Sequence, residues 1–204
     1  EQRIKLLESG PKQSPYHLYS IALAHLHKSL IAIRFNKNFE AALDFRKAFL
    51  LLKENKKAHP NFSPNDVYLG LMTTVIGTIP KGYQWMANVL GMTGKIADGN
   101  ALVLKYINSK DAFSSQCRNE ALFVYPYLIM NFEGNKKKAF DFIEKTAQNG
   151  FTMQIRNTII IVLRATIRRF VLKIKMKIFG LALFQMVLFI EIINRSFTSL
   201  KRKV

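Results

Sequence analysis

The chain has 204 residues, of which 49% are hydrophobic, and it carries a formal net charge of +18. That length suits one compact domain or a short helical array with a sizeable core. A single cysteine, Cys117, excludes any intrachain disulfide and fits a reducing compartment, without excluding a periplasm.

Apolar residues recur at helical spacing along the first 150 positions. Tyr19, Leu23, Leu26, Leu30 and Ile33 mark one helix, and Phe39, Ala42, Phe45, Phe49 and Leu52 the next. Ile96, Gly99, Val103 and Tyr106 repeat the pattern, as do Leu122, Tyr125, Ile129 and Phe132. No stretch sustains period-two alternation, so residues 1–150 read as all-α. Short polar loops at 35–45, 92–104 and 132–145 each join the two helices of a pair, giving pairs that span 15–55, 66–107 and 116–149. After each loop a small residue is followed by a larger one. That order lets two helices approach closely while the larger side chain fills the groove beside them.

The stretch "IGTIPKGYQWMANVLGMTGKIADG" (76–99) holds the only Trp and five of the ten Gly. Pro80 fits the first turn of a helix, where its missing N–H costs nothing. Trp85, Met86, Val89 and Leu90 fall on one apolar side. Gly91 suits a left-handed helix end, Gly94 opens the next turn, and Gly99 allows close helix packing. The expected structure is a short capped connector helix wedged between two repeat helices, with Trp85 covered. A phosphate-binding loop is disfavoured: the spacing is G-x2-G-K-I, no hydroxyl follows Lys95, and a helix precedes it.

A repeat period of roughly 35–50 residues with paired helices marks helical arrays. Ala41, Phe45 and Ala48 have the small–large–small spacing of the second helix of a tetratricopeptide repeat, and Ala139, Ile143 and Thr146 follow it more loosely. The run from "ALAHLHKSL" through residue 99 is similar to bacterial tetratricopeptide-like proteins and shares an element with the eukaryotic inclusion-body clearance family. The resemblance covers about residues 15–149. It implies a short α-solenoid of antiparallel helix pairs, acting as a non-catalytic protein–protein interaction or scaffold module for a protein or peptide partner. The first helices of such an array line its concave surface. Tyr16, Tyr19, Tyr68 and Tyr125 lie on predicted first helices and become candidate partner-binding anchors; the alternative is that they pack the interior.

No constellation points to an enzyme, a cofactor or a metal. His17, His25, His27 and His59 lack the i, i+3 or i, i+4 ligand spacing of a helical zinc site and read as surface or groove-lining residues. Glu40 with Asp44, and Asp141 with Glu144, read as solvated helix faces beside lysines and arginines. Cys117 reads as a small buried residue. A basic nucleic-acid binder remains an alternative, disfavoured because "NKKKAF" (135–140) is a short run without interleaved aromatics.

The character changes after Gly150. Residues 1–150 carry 20 Lys and Arg against 12 acids, and residues 151–204 carry 11 against Glu191 alone. This basic, Ile-rich tail contains no Tyr, His, Pro or Asp, and its cations scatter around a helical wheel. Three readings stand. The tail is a shifted-frame translation of an AT-rich gene, a membrane segment at 178–193, or two further helices of the array. The first residue is Glu1, which reads as a fragment, a processed chain or an incomplete reading. The expected location is a bacterial cytoplasm or periplasm, with membrane association through the tail as the alternative.

Overall fold

The computed structural model describes residues 2–148, and these are all-α. Eight α-helices occur among them: α1 (Gln2–Glu8), α2 (Pro15–Arg34), α3 (Asn38–Ala58), α4 (Pro64–Gly77), α5 (Gln84–Val89), α6 (Ile96–Ile107), α7 (Arg118–Leu128) and α8 (Lys136–Gln148). A 3-10 turn (Lys81–Tyr83) leads into α5, and a π turn (Ile129–Glu133) follows α7. The readings of residues 151–204, the 178–193 segment included, fall outside the described residues. Among the described residues no helix is long and apolar enough to cross a membrane.

Local chemistry sets the helix ends. Pro15 occupies the first turn of α2, and the Ser14 side chain accepts from Tyr16 N at 3.2 Å, which satisfies one of the free N–H groups there. Asn36 takes φ 60° between α2 and α3, a conformation Asn tolerates better than most residues. The reversal is tight enough for Lys37 N to donate back to Ala32 O at 2.9 Å. α3 then packs along α2. Asp44 meets His25, and Asn55 Nδ2 donates to Pro15 O at 2.9 Å. Ala41, Ala48 and Ala139 are buried, so these small positions face the interior.

α4 and α6 pack through glycine. A Cβ on Gly70 would lie 2.7 Å from Gly99 O, and one on Gly77 would lie 2.5 Å from Ile96 N. Real Cβ atoms do not approach so closely, so these contacts require glycine. Gly94 lies so close to Thr73 O that a Cβ there would overlap it. Gly94, in the loop that leads into α6, thus packs that loop closely against α4.

Phe62, on the loop between α3 and α4, joins the separate parts of the core. Its ring centroid lies 4.9 Å from that of Tyr16, 5.2 Å from Tyr19 and 5.1 Å from Phe113, all edge-on. Edge-to-face pairs of this kind add to the burial of the rings themselves. Tyr106 fixes the loop after α6, donating to Phe113 O at 3.0 Å and accepting from Cys117 N at 2.8 Å.

The connector departs from expectation in one respect. Trp85 is 57% exposed and Val89 74% exposed, while Met86 and Ala87 carry the buried side of α5. Six residues make under two turns, so apolar content alone does not choose the inward face. The choice follows from how the chain leaves Gly77 and returns at Ile96. Pro80 precedes the 3-10 turn, with φ −56° and ψ 145°, and Gly91 takes the left-handed φ 74° after α5.

Candidate functional site

An open groove of about 520 Å³ runs between α6, the π turn and α8. α6 contributes Ile96, Ala97, Asn100, Ala101 and Leu104, whose spacing places them on one helix face. Tyr125 of α7, Phe132 and Glu133 of the π turn, and Lys138 of α8 complete the lining. The shape of the far wall follows from the end of α7. Pro126 has no N–H to offer the Leu122 carbonyl, the helix widens into the π turn, and Gly134 at φ 77° reverses the chain. Phe132 and Glu133 are thereby brought opposite α6.

A chain of hydrogen bonds organises the polar side of the groove. Thr74 Oγ1 donates to Asn100 Oδ1 at 3.2 Å, and Asn100 Nδ2 donates to Glu133 Oε2 at 3.0 Å. Lys138 Nζ donates to Glu133 Oε1 at 3.1 Å and to Oε2 at 3.3 Å. Thr74 and Asn100 are buried, so the chain is fixed from the core outward. Burial pushes the Tyr125 phenol above its ordinary range, with the Lys138 ammonium opposing and the Glu133 carboxylate reinforcing the shift. The phenol stays neutral at physiological pH. The groove therefore offers an apolar wall, a neutral phenol, a carboxamide and a paired carboxylate. Among the described residues no Ser or Cys lines it.

A second polar cluster lies between α2 and α3. His25 Nδ1 donates to Asp44 Oδ1 at 2.7 Å, and Lys28 Nζ lies 3.1 Å from Asp44 Oδ2. His25 and Asp44 are both buried. This corrects two sequence expectations, that Asp44 lies on a solvated face and that His25 lies at the surface or in a groove. The reason is that α3 turns this face onto α2, where each residue meets the other's need for a partner. His25 Nε2 and the neighbouring Ser29 Oγ have no hydrogen-bond partner among the described residues. Among the described residues no group of three or more His, Cys, Asp or Glu side chains could hold a metal ion.

The four tyrosines expected to anchor a partner do not form a docking face. Tyr19 is buried, with its hydroxyl 3.2 Å from Cys117 Sγ. Tyr68 is half-buried, its ring centroid 6.0 Å from that of Tyr19. Tyr16 is 40% exposed, yet its ring packs on Phe62 and its hydroxyl accepts from Gln116 Nε2. The loop between α6 and α7 covers these residues, which is the physical reason they serve the core. Tyr125 is buried against Phe142, at 4.7 Å between centroids, and lines the groove described above. Asn100, Phe132, Glu133 and Lys138 carry no spacing signal as a group. The one cue in the sequence is Asn100, a polar residue on the otherwise apolar inner face of α6.

No family model, curated protein or solved structure matches this chain. Its function is therefore to be read from its residues and geometry.

Proposed function

We propose that the chain is a non-catalytic protein–protein interaction module built on tetratricopeptide-like antiparallel helix pairs. The pairs are α2 with α3, α4 with α6, and α7 with α8. Support for this reading comes from the buried small residues Ala41, Ala48 and Ala139, and from the placement of Asn55 beside Pro15. The docking element is the groove between α6 and α8, in place of a tyrosine-lined first-helix surface. Its partner is a protein segment that inserts an apolar side chain against Ile96, Leu104 and Phe132, with a polar flank meeting Asn100, Glu133 and Lys138. The observation that carries the reading is the groove itself, largely apolar in its walls and held by a hydrogen-bond chain that begins in the core at Thr74 and Asn100 and ends at the surface.

Ala101→Arg tests it. Ala101 is exposed on the groove wall, so the larger side chain fills the groove without entering the core. Proteins captured by the full chain are compared with those captured by Ala101→Arg and by Lys57→Glu, a control on α3. Thermal melts establish that both variants are folded. Selective loss with Ala101→Arg is the expected result; an unchanged set of captured proteins rules the groove out.

A further inference from the structure

We propose that the connector between α4 and α6 docks the protein onto an anionic lipid surface. Three large side chains there face solvent: Tyr83, Trp85 and Val89, the last two one helical turn apart. Their exposure does not come from a loose segment. Met86, Ala87, Ile79 and Met92 are buried beneath them, Arg46 Nε donates to Leu90 O at 2.8 Å, and Gln84 Nε2 donates to Ile79 O at 3.2 Å. The core thus seats a short segment whose outer side mixes Tyr83, Trp85 and Val89 with the exposed polar side chains of Lys81, Gln84 and Asn88, an amphipathic surface suited to a membrane interface.

The charges around this segment select the occupant. No Asp or Glu occurs between Val67 and Ala97. Lys81 and Lys95 are exposed, and neither forms an ion pair among the described residues. Arg46, which reaches the connector from α3, is another cation. Of the flanking acids, Asp66 is buried with Lys56 Nζ at 2.8 Å, and Asp98, in the first turn of α6, is the exposed one. Trp and Tyr beside unpaired lysines match the boundary between headgroup and acyl chain: the rings sit at the interface and the ammonium groups meet lipid phosphates and carboxylates. The net charge of +18 adds long-range attraction to such a surface. This inference is independent of the groove between α6 and α8.

Trp85 is the only tryptophan in the chain, so its fluorescence reports on the connector directly. The full chain is mixed with vesicles of phosphatidylcholine alone, or of phosphatidylcholine with phosphatidylserine. The expected result is a blue shift and quenching by brominated acyl chains on the phosphatidylserine vesicles only. Lys81→Ala and Lys95→Ala each weaken binding by roughly fivefold at low salt. Val89→Asp, at a position too exposed to affect folding, abolishes the blue shift. Sedimentation with vesicles while Trp85 emission is unchanged overturns the proposal and assigns the membrane contact to another segment. A blue shift that grows with protein concentration in the absence of vesicles also overturns it, because a second copy of the chain then covers the face. Retention of the full shift by Val89→Asp does the same.

Discussion

Gly70 and Gly99 oppose each other so that each carbonyl oxygen occupies the space a Cβ on the other would need: 2.7 Å for a Cβ on Gly70 and 2.5 Å for one on Gly99. A methyl group on Gly99 would also meet Thr74 Oγ1 and lie 2.5 Å from Thr74 N. Gly99→Ala is expected to cost about 2–3 kcal/mol, as overpacking against backbone does. A Cβ on Gly82 would meet nothing within 4 Å, so Gly82→Ala is expected to be neutral or mildly stabilising through the unfolded chain. Urea denaturation of the two variants gives the comparison. Equal midpoints would show that α4 can shift to accept the methyl.

The His25–Asp44 contact behaves as a unit. Asp44→Ala leaves His25 Nδ1 without its buried acceptor and removes the counter-charge of Lys28. A loss of about 3 kcal/mol or more is expected for breaking such a buried pair. Replacing both partners, as His25→Leu with Asp44→Leu, is expected to cost less than Asp44→Ala alone, since the buried imidazole is removed together with its acceptor. A double-mutant cycle in denaturant measures the coupling.

Alkaline pH is expected to destabilise the fold through its tyrosines. Burial pushes Tyr68 up to about 12, and it also raises Tyr19, Tyr106, Tyr125 and Tyr127 above the ordinary range. The unfolded chain releases these protons first, near the usual tyrosine value of about 10. Stability is therefore intact below that value and falls as pH rises toward the folded values, because the unfolded state then binds fewer protons. Phenolate absorbance should rise in a step that coincides with loss of helical circular dichroism. Full ionisation with the helices intact would contradict this.

Cys117 serves as a sensor of core opening. It is buried, it shares a hydrogen bond with the Tyr19 hydroxyl at 3.2 Å, and burial pushes its thiol pKa up. A thiol reagent should react about a hundredfold or more slowly with the native chain than with the chain in urea. Gly99→Ala should speed labelling by favouring the open state. Rapid labelling of the native protein would mean that the Tyr19–Cys117 contact opens without global unfolding.

The helices are legible in the sequence because periodicity repeats over several turns, as from Tyr19 to Ile33. The facing of individual residues is less legible. Tyr19 and Tyr68 lie on the helices expected of them, but the loop that buries them comes from residues 108–117, far along the chain. Trp85 faces out against expectation because α5 is too short for a pattern to define a face. Asp44 reads as solvated because its partner, His25, lies on another helix. The groove is hidden for a similar reason: Asn100, Glu133 and Lys138 meet only after the π turn reverses the chain, and no spacing rule relates them.

The near-contact of Gly77 with Lys95 and Ile96 has a dynamic consequence. The chain leaves α4 and re-enters α6 at nearly the same point, so residues 78–95 form a flap with both ends fastened at one place. Such a segment stays seated through Met86, Met92 and the Arg46–Leu90 bond in the native state and can detach only as a whole, in a rare opening, while Gly70 and Gly99 keep the two long helices together. Hydrogen exchange should then divide the molecule at that neck. The Leu90, Gly91 and Met92 amides, bonded to Met86 O, Asn88 O and Ala87 O, are expected to exchange together and well before those in the middle of α4 and α6.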